Sequence, residues 1–277
     1  MTFHNKLKRF FILGCQRSGT TLLRLILDSH SKISCADENI SYEVLSDSNK
    51  FKNFLEVNNK MNWTGFKIPR LTEQINNSII HDYGLSTPMQ NFYEMNPLIF
   101  IIRDCRDVIC SMKNLKDSEN VSWLEKWGIP IVNYWIENSP DFKQKFDSDI
   151  NNIKDSKNYE LAMAALYWKF KNDSYFRYVK LNYPIIKISY EKLVTNPNNT
   201  IMSMLHFLDL EWEDSVLKHH TIEHSEIDKD GYTIGRTNAH NPINISSVGQ
   251  YKKELDSEQL NSIISISGEL MKKFDYL

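Results

Sequence analysis

The chain alternates short, wholly apolar runs with longer amphipathic stretches. Phe10-Phe11-Ile12-Leu13 stops at Gly14 and reads as a buried strand that breaks into a loop. Thr20 to His30, TTLLRLILDSH, follows as a helix that is apolar on most sides. Leu98-Ile99-Phe100-Ile101-Ile102 repeats the theme, a continuous β-rich run suited to a strand covered on both faces of a parallel sheet. A helix is predicted behind it, from Arg106 to about Leu115. Pro184 to Ile188 is a third strand candidate, with Ser189-Tyr190-Glu191-Lys192-Leu193 after it and a helix near Thr200 to Leu208. Thr64 to Ile68 is a weaker fourth. Strands alternating with helices predict an α/β fold, a parallel β-sheet flanked by helices on both faces.

Between Asp117 and Asn158 the pattern changes: Trp123, Trp127, Tyr134 and Trp135 interleave with Asn, Asp, Lys and Pro. The stretch predicts a helical insertion over the sheet edge. Tyr159 to Leu181 reads as one helix with Leu161, Ala165, Trp168 and Tyr175 near one face, and a last helix is predicted over Asp256 to Phe274. Ser225 to Gly249 is polar and rich in Asn and Gly, a long C-terminal loop of the kind that often carries function.

Composition narrows the picture. A chain of 277 residues, 41% of them hydrophobic, can bury one sizeable core, so one domain over residues 1–277 is expected. The formal charge of -2 leaves no whole-molecule footprint for nucleic acid or an anionic membrane, and neither partner is expected. Cys15, Cys35, Cys105 and Cys110 form no C-x-x-C pair and have no His cluster at zinc-like spacing, which argues for reduced thiols in a cytoplasmic setting. The apolar run near the N-terminus is too short for a signal core, and no stretch is long enough to span a bilayer.

The chemistry is carried by two loops. Gly14-Cys15-Gln16-Arg17-Ser18-Gly19-Thr20-Thr21 has the spacing of the P-loop pattern G-x-x-x-x-G-K-[ST], with Thr20 where the lysine stands. Glycines let such a loop curl so that successive N–H groups point inward, and the following helix adds partial positive charge. Ser18, Thr20 and Thr21 supply hydroxyls, and Arg17 supplies a fork that can grip two oxygens of a phosphate or sulfuryl group. The sheet is therefore P-loop-like. A single phosphate ester needs less neutralisation than a triphosphate, so no metal is expected. The bland alternative is a tight turn without a ligand.

Arg103, Arg106 and Ser111 follow the strand at Leu98–Ile102, where ligands of open α/β sheets bind. Arg103 and Ser111 could converge on a second phosphate. The alternative is a pair of surface ion pairs, Arg103–Asp104 or Arg106–Asp107, which would contribute little.

GCQRSGTTLL resembles the 5′-phosphosulfate loop of sulfotransferases that use 3′-phosphoadenosine 5′-phosphosulfate (PAPS), and IFIIRDCRDVICSM resembles their 3′-phosphate motif. ISYEKLVTNP, HFLDLEW and VGQYKKEL extend the resemblance in pieces over most of the chain. From RSGTTLL to CADENI the sequence is most similar to tyrosylprotein sulfotransferases. That resemblance implies PAPS as co-substrate and 3′-phosphoadenosine 5′-phosphate (PAP) as product. The acceptor would be an unidentified hydroxyl (tyrosyl, sugar or small-molecule) or amine. It places the general base at Glu38 and a transition-state lysine at Lys67, with Arg17 beside the transferring group. Ser18, Gly19, Thr20, Thr21, Arg103, Ser111, Tyr190 and Asn244 would bind the nucleotide. The basic residue expected in the last motif is Gln250 here, so Lys252 or Lys253 would take part of its role.

Several readings stay open at this level. Glu38 could simply start a helix capped by Asp37 or Asn39. A nucleotide kinase shares the strand–loop–helix but needs the missing lysine, and a non-catalytic nucleotide-binding protein needs no base. His206, His219, His220, His224 and His240 show no catalytic pattern; nor does His81, which lies outside the residues described below.

Overall fold

The computed structural model describes residues 8–59, 61–74, 95–233 and 235–277. Along the chain run β1 (Lys8–Gly14), α1 (Thr20–Asp28), β2 (Ile33–Ala36), α2 (Glu38–Ser46), α3 (Ser48–Val57), β3 (Trp63–Lys67), α4 (Leu71–Gln74), β4 (Leu98–Ile102) and α5 (Cys105–Asn114). There follow α6 (Ile129–Asn138), α7 (Pro140–Lys145), α8 (Asp147–Lys154), α9 (Tyr159–Lys180), β5 (Ile185–Ser189), α10 (Tyr190–Thr195), α11 (Pro197–Phe207), α12 (Tyr251–Glu254) and α13 (Ser257–Lys273).

The strands form one five-stranded parallel sheet in the order β2-β3-β1-β4-β5. The two-residue period of a strand divides its side chains between two cores. From β1, Phe11 and Leu13 enter one core and Phe10 and Ile12 the other; from β4, Leu98, Phe100 and Ile102 enter the first and Ile99 and Ile101 the second. The first core is closed by residues of α2, α3, α5, α9 and α13, and the second by residues of α1, α10 and α11. A strand that is apolar at every position must be covered in this way, which is why the helices lie on both faces.

After β1 the chain builds β2 and β3 on one side, then crosses to build β4 and β5 on the other. The carboxyl ends of β1 and β4 therefore flank a topological switch point, where open α/β sheets bind their ligands. Phe11 pairs with Leu98 and Gly14 with Ile101, so the loop after β1 opens beside the residues that follow β4.

One expectation needs correction, and two gain detail. The insertion is helical, but α6, α7 and α8 pack on one another and on α9, with α8 also touching α13; they cover the helical layer, not the sheet edge. Because α9 has helices on one side and the sheet on another, it is buried around most of its circumference, including Met163, Ala164, Tyr167 and Phe170 as well as the predicted face. The strand expected at 64–68 is present as β3 (Trp63–Lys67), an interior strand between β1 and β2 with all five of its residues buried. Gly65 is required there, because a Cβ would stand 2.4 Å from Phe10 Cζ.

Residues 225–249 carry no helix or strand among those described, only turns and one isolated bridge between Tyr232 and Asn238. The four cysteines are free and buried. Among the described residues no helix is long and apolar enough to cross a membrane, and no group of His, Cys, Asp and Glu is arranged to hold a metal ion.

Candidate active site

Gly14 and Gly19 adopt φ of 149° and 91°. A Cβ on Gly14 would meet Ile101 O at 2.4 Å, and one on Gly19 would meet Tyr190 Cδ2 at 2.4 Å, so backbone and space both demand glycine. Between them Arg17 takes φ of 69°, a left-handed conformation that costs roughly 1–2 kcal/mol in a side-chain-bearing residue. Gly19 is the N-cap of α1 and no side chain caps that helix. The first amides of a helix have no intrahelical acceptor, so this end is suited to an anion. Ser18 Oγ is buried with no hydrogen-bond partner among the described residues.

Arg17 Nε donates to Ser111 Oγ at 3.1 Å and its Nη1 to Gly235 O at 2.6 Å. Arg103 reaches the same place from the end of β4. Its Nη1 donates to Arg17 O at 3.0 Å, its Nη2 to Ser247 O, and its buried Nε has no partner among the described residues. The Arg103 guanidinium carbon lies 4.5 Å from the Tyr190 ring centroid, and Trp168 Nε1 donates to Arg103 O at 3.0 Å. Burial, reinforced by Arg103, pulls the Arg17 pKa down to about 10. Arg17 is thus charged near neutrality, and it shares with Arg103 a cavity of about 270 Å³ whose described lining holds no carboxylate. The surface-pair alternative does not hold for Arg103. Its neighbour Asp104 pairs with Arg106 at 2.6 Å and caps α5, while Asp107 accepts from the amides of Gly249 and Tyr251 and ties down the end of the C-terminal loop.

A second cluster forms at the ends of β2 and β3. Ala36 pairs with Phe66, so the next residues, Asp37 and Lys67, emerge side by side. Lys67 Nζ lies 2.8 Å from Asp37 Oδ1 and 3.3 Å from Glu38 Oε2, with Lys67 and Asp37 both buried. Burial alone would lower the lysine pKa; Glu38 and Asp37 more than offset it and hold the ammonium above its usual range. For Asp37, burial pushes the pKa up, but Lys67 and the Glu38 amide outweigh it, and the net direction is down. The cap is Asp37, whose Oδ1 accepts from Glu38 N. Glu38 is therefore free of the capping role and accepts at Oε1 from Tyr42 OH at 3.2 Å.

The cavity brings together Arg17, Gly19, Thr20, Thr21, Arg103, Ser111, Tyr190 and Asn244 from the sequence-predicted set. Ser18 lies buried in the same loop. Glu38 and Lys67 form their own pair at the neighbouring strand ends. Asn244 is exposed, its Oδ1 taken by Ser246 in a local turn. Lys252 does not join the cavity: it is exposed on α12, its ammonium 6.0 Å from the Tyr251 ring. The added basic residue comes instead from Arg236, in the polar loop. Sequence reasoning also missed Asp37 as the partner of Lys67, and Gly235 and Ser247, which act through backbone carbonyls that no side-chain motif could reveal.

Residues 7–275 match the family model for the sulfotransferase domain, and the chain belongs to that family. It is 25% identical over 261 residues to a Caenorhabditis briggsae protein named "Putative protein-tyrosine sulfotransferase", covering 86% of this chain and 78% of that one. Among solved structures it resembles the sulfotransferase domain from the curacin biosynthetic pathway (TM-score 0.57, 16% identity, 93% of this chain and 96% of that one). It also resembles mouse sulfotransferase SULT7A1 complexed with PAP (TM-score 0.51, 14% identity, 96% and 85%). The family is one of transferases, and the fold is theirs.

Proposed function

We propose that this protein transfers a sulfuryl group from PAPS to an acceptor hydroxyl or amine. The observation that carries the reading is the pairing of two anion-binding elements at one switch point. An uncapped helix behind a Gly-bounded loop meets two guanidiniums, one from the loop and one from the end of β4, with Ser18 Oγ and Arg103 Nε buried and without a partner among the described residues. A donor with a 5′-phosphosulfate and a 3′-phosphate offers acceptors for both. The PAP in the mouse structure is in keeping with this.

PAPS would supply the activated sulfuryl group. Loop amides, Thr20, Thr21 and Arg17 would hold the 5′ end, and Arg103 and Ser111 the 3′-phosphate. Tyr190 would line the nucleotide site, where its ring also sets Arg103 in place. Lys67 would meet negative charge as it develops. Glu38 would take the acceptor proton, with Tyr42 and Lys67 fixing its two oxygens. A kinase reading lacks support, because Thr20 stands where the P-loop lysine belongs.

Titration calorimetry with PAP, with and without EDTA, tests donor binding; consumption of radiolabelled PAPS with pooled acceptors tests turnover. Metal-independent PAP binding with label transfer is expected. Strict metal dependence would overturn the reading in favour of a kinase, and PAP binding without turnover in favour of a non-catalytic binder.

A further inference from the structure

A second cavity of about 510 Å³ opens beside the first, between the start of α2 and the C-terminal loop. Asn39, the residue after Glu38, lines it, with Glu226 and Tyr232 on the loop side. Among the described residues, one is common to the linings of both cavities: Arg236.

Arg236 is held there by its turn. Its amide donates to Thr233 O at 2.8 Å, the Thr233 amide donates to Thr237 O at 3.0 Å, and the Tyr232–Asn238 bridge closes the base. The neighbouring Gly235 carbonyl accepts from Arg17 Nη1, and a Cβ on Gly235 would stand 3.5 Å from Thr21 Oγ1. The turn thus rests on the phosphate loop. Arg236 itself has φ of 56°, a conformation disfavoured for a residue with a Cβ. Its guanidinium makes no hydrogen bond or ion pair among the described residues, and its nearest recorded contact is the Tyr232 ring, with a centroid at 6.0 Å.

We propose that Arg236 is a catalytic residue that contacts the sulfuryl group in transit, because alone among the described residues it lines both the donor cavity and the cavity that begins beside Glu38. This rests on the proposed function. The transfer breaks the bond from sulfur to the 5′-phosphate oxygen, whose electron pair stays on PAP. It forms the bond from sulfur to the acceptor, whose proton passes to Glu38. The sulfuryl oxygens lie between the two partners throughout, and a cation at the boundary serves them there without holding either partner's far end.

PAPS and PAP differ by that sulfuryl group, so their affinities separate the possibilities without an acceptor. Calorimetry is run on the wild type, R236Q and R236K, with melting temperatures as a check on folding. In R236Q the affinity for PAPS is expected to fall about tenfold, the cost of one charge-assisted contact, while that for PAP changes less than about threefold. R236K is expected to recover part of the PAPS affinity. Equal losses for both nucleotides would make Arg236 a phosphate clamp and overturn the proposal. No loss for either would make it a solvated surface residue and overturn it too. A wild type that binds neither nucleotide would instead overturn the donor reading itself.

Discussion

Lys67 Nζ donates to Asp37 Oδ1 at 2.8 Å, joining the last residue of β3 to the N-cap of α2. The same carboxylate oxygen accepts the Glu38 amide at 2.6 Å. One buried atom therefore sets the lysine and the start of the helix that carries Glu38, while the second Asp37 oxygen has no partner among the described residues.

Asp37→Ala removes a cap and leaves a buried ammonium with Glu38 alone. Caps contribute about 1 kcal/mol, and breaking a buried pair costs about 3–5 kcal/mol; with Glu38 still at 3.3 Å, a loss near about 3 kcal/mol is expected in urea unfolding at pH 7. Because the folded-state pKa of Asp37 is depressed, its contribution is present above the usual carboxylate range and disappears as pH falls through the lower folded value. The gap between wild type and variant should close in acid. A loss under about 1 kcal/mol at pH 7 would show that the pair does not hold this corner.

Glu38→Gln should bind PAP as the wild type does and turn over about 10²–10⁴-fold more slowly, since glutamine keeps the shape but cannot take a proton. Stability should fall less than in Asp37→Ala, because Asp37 keeps both the cap and its 2.8 Å contact with Lys67 while only the 3.3 Å pair with Glu38 loses its charge. Steady-state rates at saturating PAPS, alongside melting curves, check both halves. Wild-type turnover in the folded variant would move the base elsewhere.

Gly19→Ala drives a methyl group to 2.4 Å from the Tyr190 ring, and at φ of 91° the backbone resists it as well. The ring must move, and Arg103, 4.5 Å away over its face, loses its platform. PAP affinity is expected to fall at least as far as in Arg103→Ala, about tenfold to a hundredfold. Calorimetry on both variants makes the comparison; wild-type affinity in Gly19→Ala would show that Tyr190 does not organise the site.

His219 is fully buried, and burial, with His220 and His224 adding repulsion, pulls its pKa down to about 4. A depressed folded-state value means that the neutral ring is the one the fold accepts. Its contribution is complete above about pH 6.5 and is lost as pH falls toward about 4. Melting temperature should decline over that window, and less steeply in His219→Leu, which has no proton to gain. Parallel slopes would remove His219 from the acid response.

Four of the five strands were legible in advance, most plainly those with no polar interruption, Phe10–Leu13 and Leu98–Ile102, because a strand covered on both faces needs apolar residues at every position. β2 escaped notice: Ile33-Ser34-Cys35-Ala36 is four residues long, without a strong β-former after Ile33. The resemblance to known sulfotransferases marked Glu38 and Lys67, yet Asp37 looked like nothing more than a cap, and it is one. Its second role depends on β2 lying beside β3, a pairing that leaves no trace in local periodicity.

The sequence by itself determined the class of the fold and the phosphate-type loop, since both are written in residues close along the chain: a strand, two glycines five positions apart at Gly14 and Gly19, and a helix. Only the tertiary structure decided which groups meet there. Arg17 meets Ser111 across 94 residues and Gly235 across 218, Lys67 meets Asp37 across 30, and Arg236, not Lys252, lines the cavity. Such meetings are set by strand order and by where a long polar loop is tied down. Both depend on packing between distant segments, which a local pattern of apolar and polar residues does not encode.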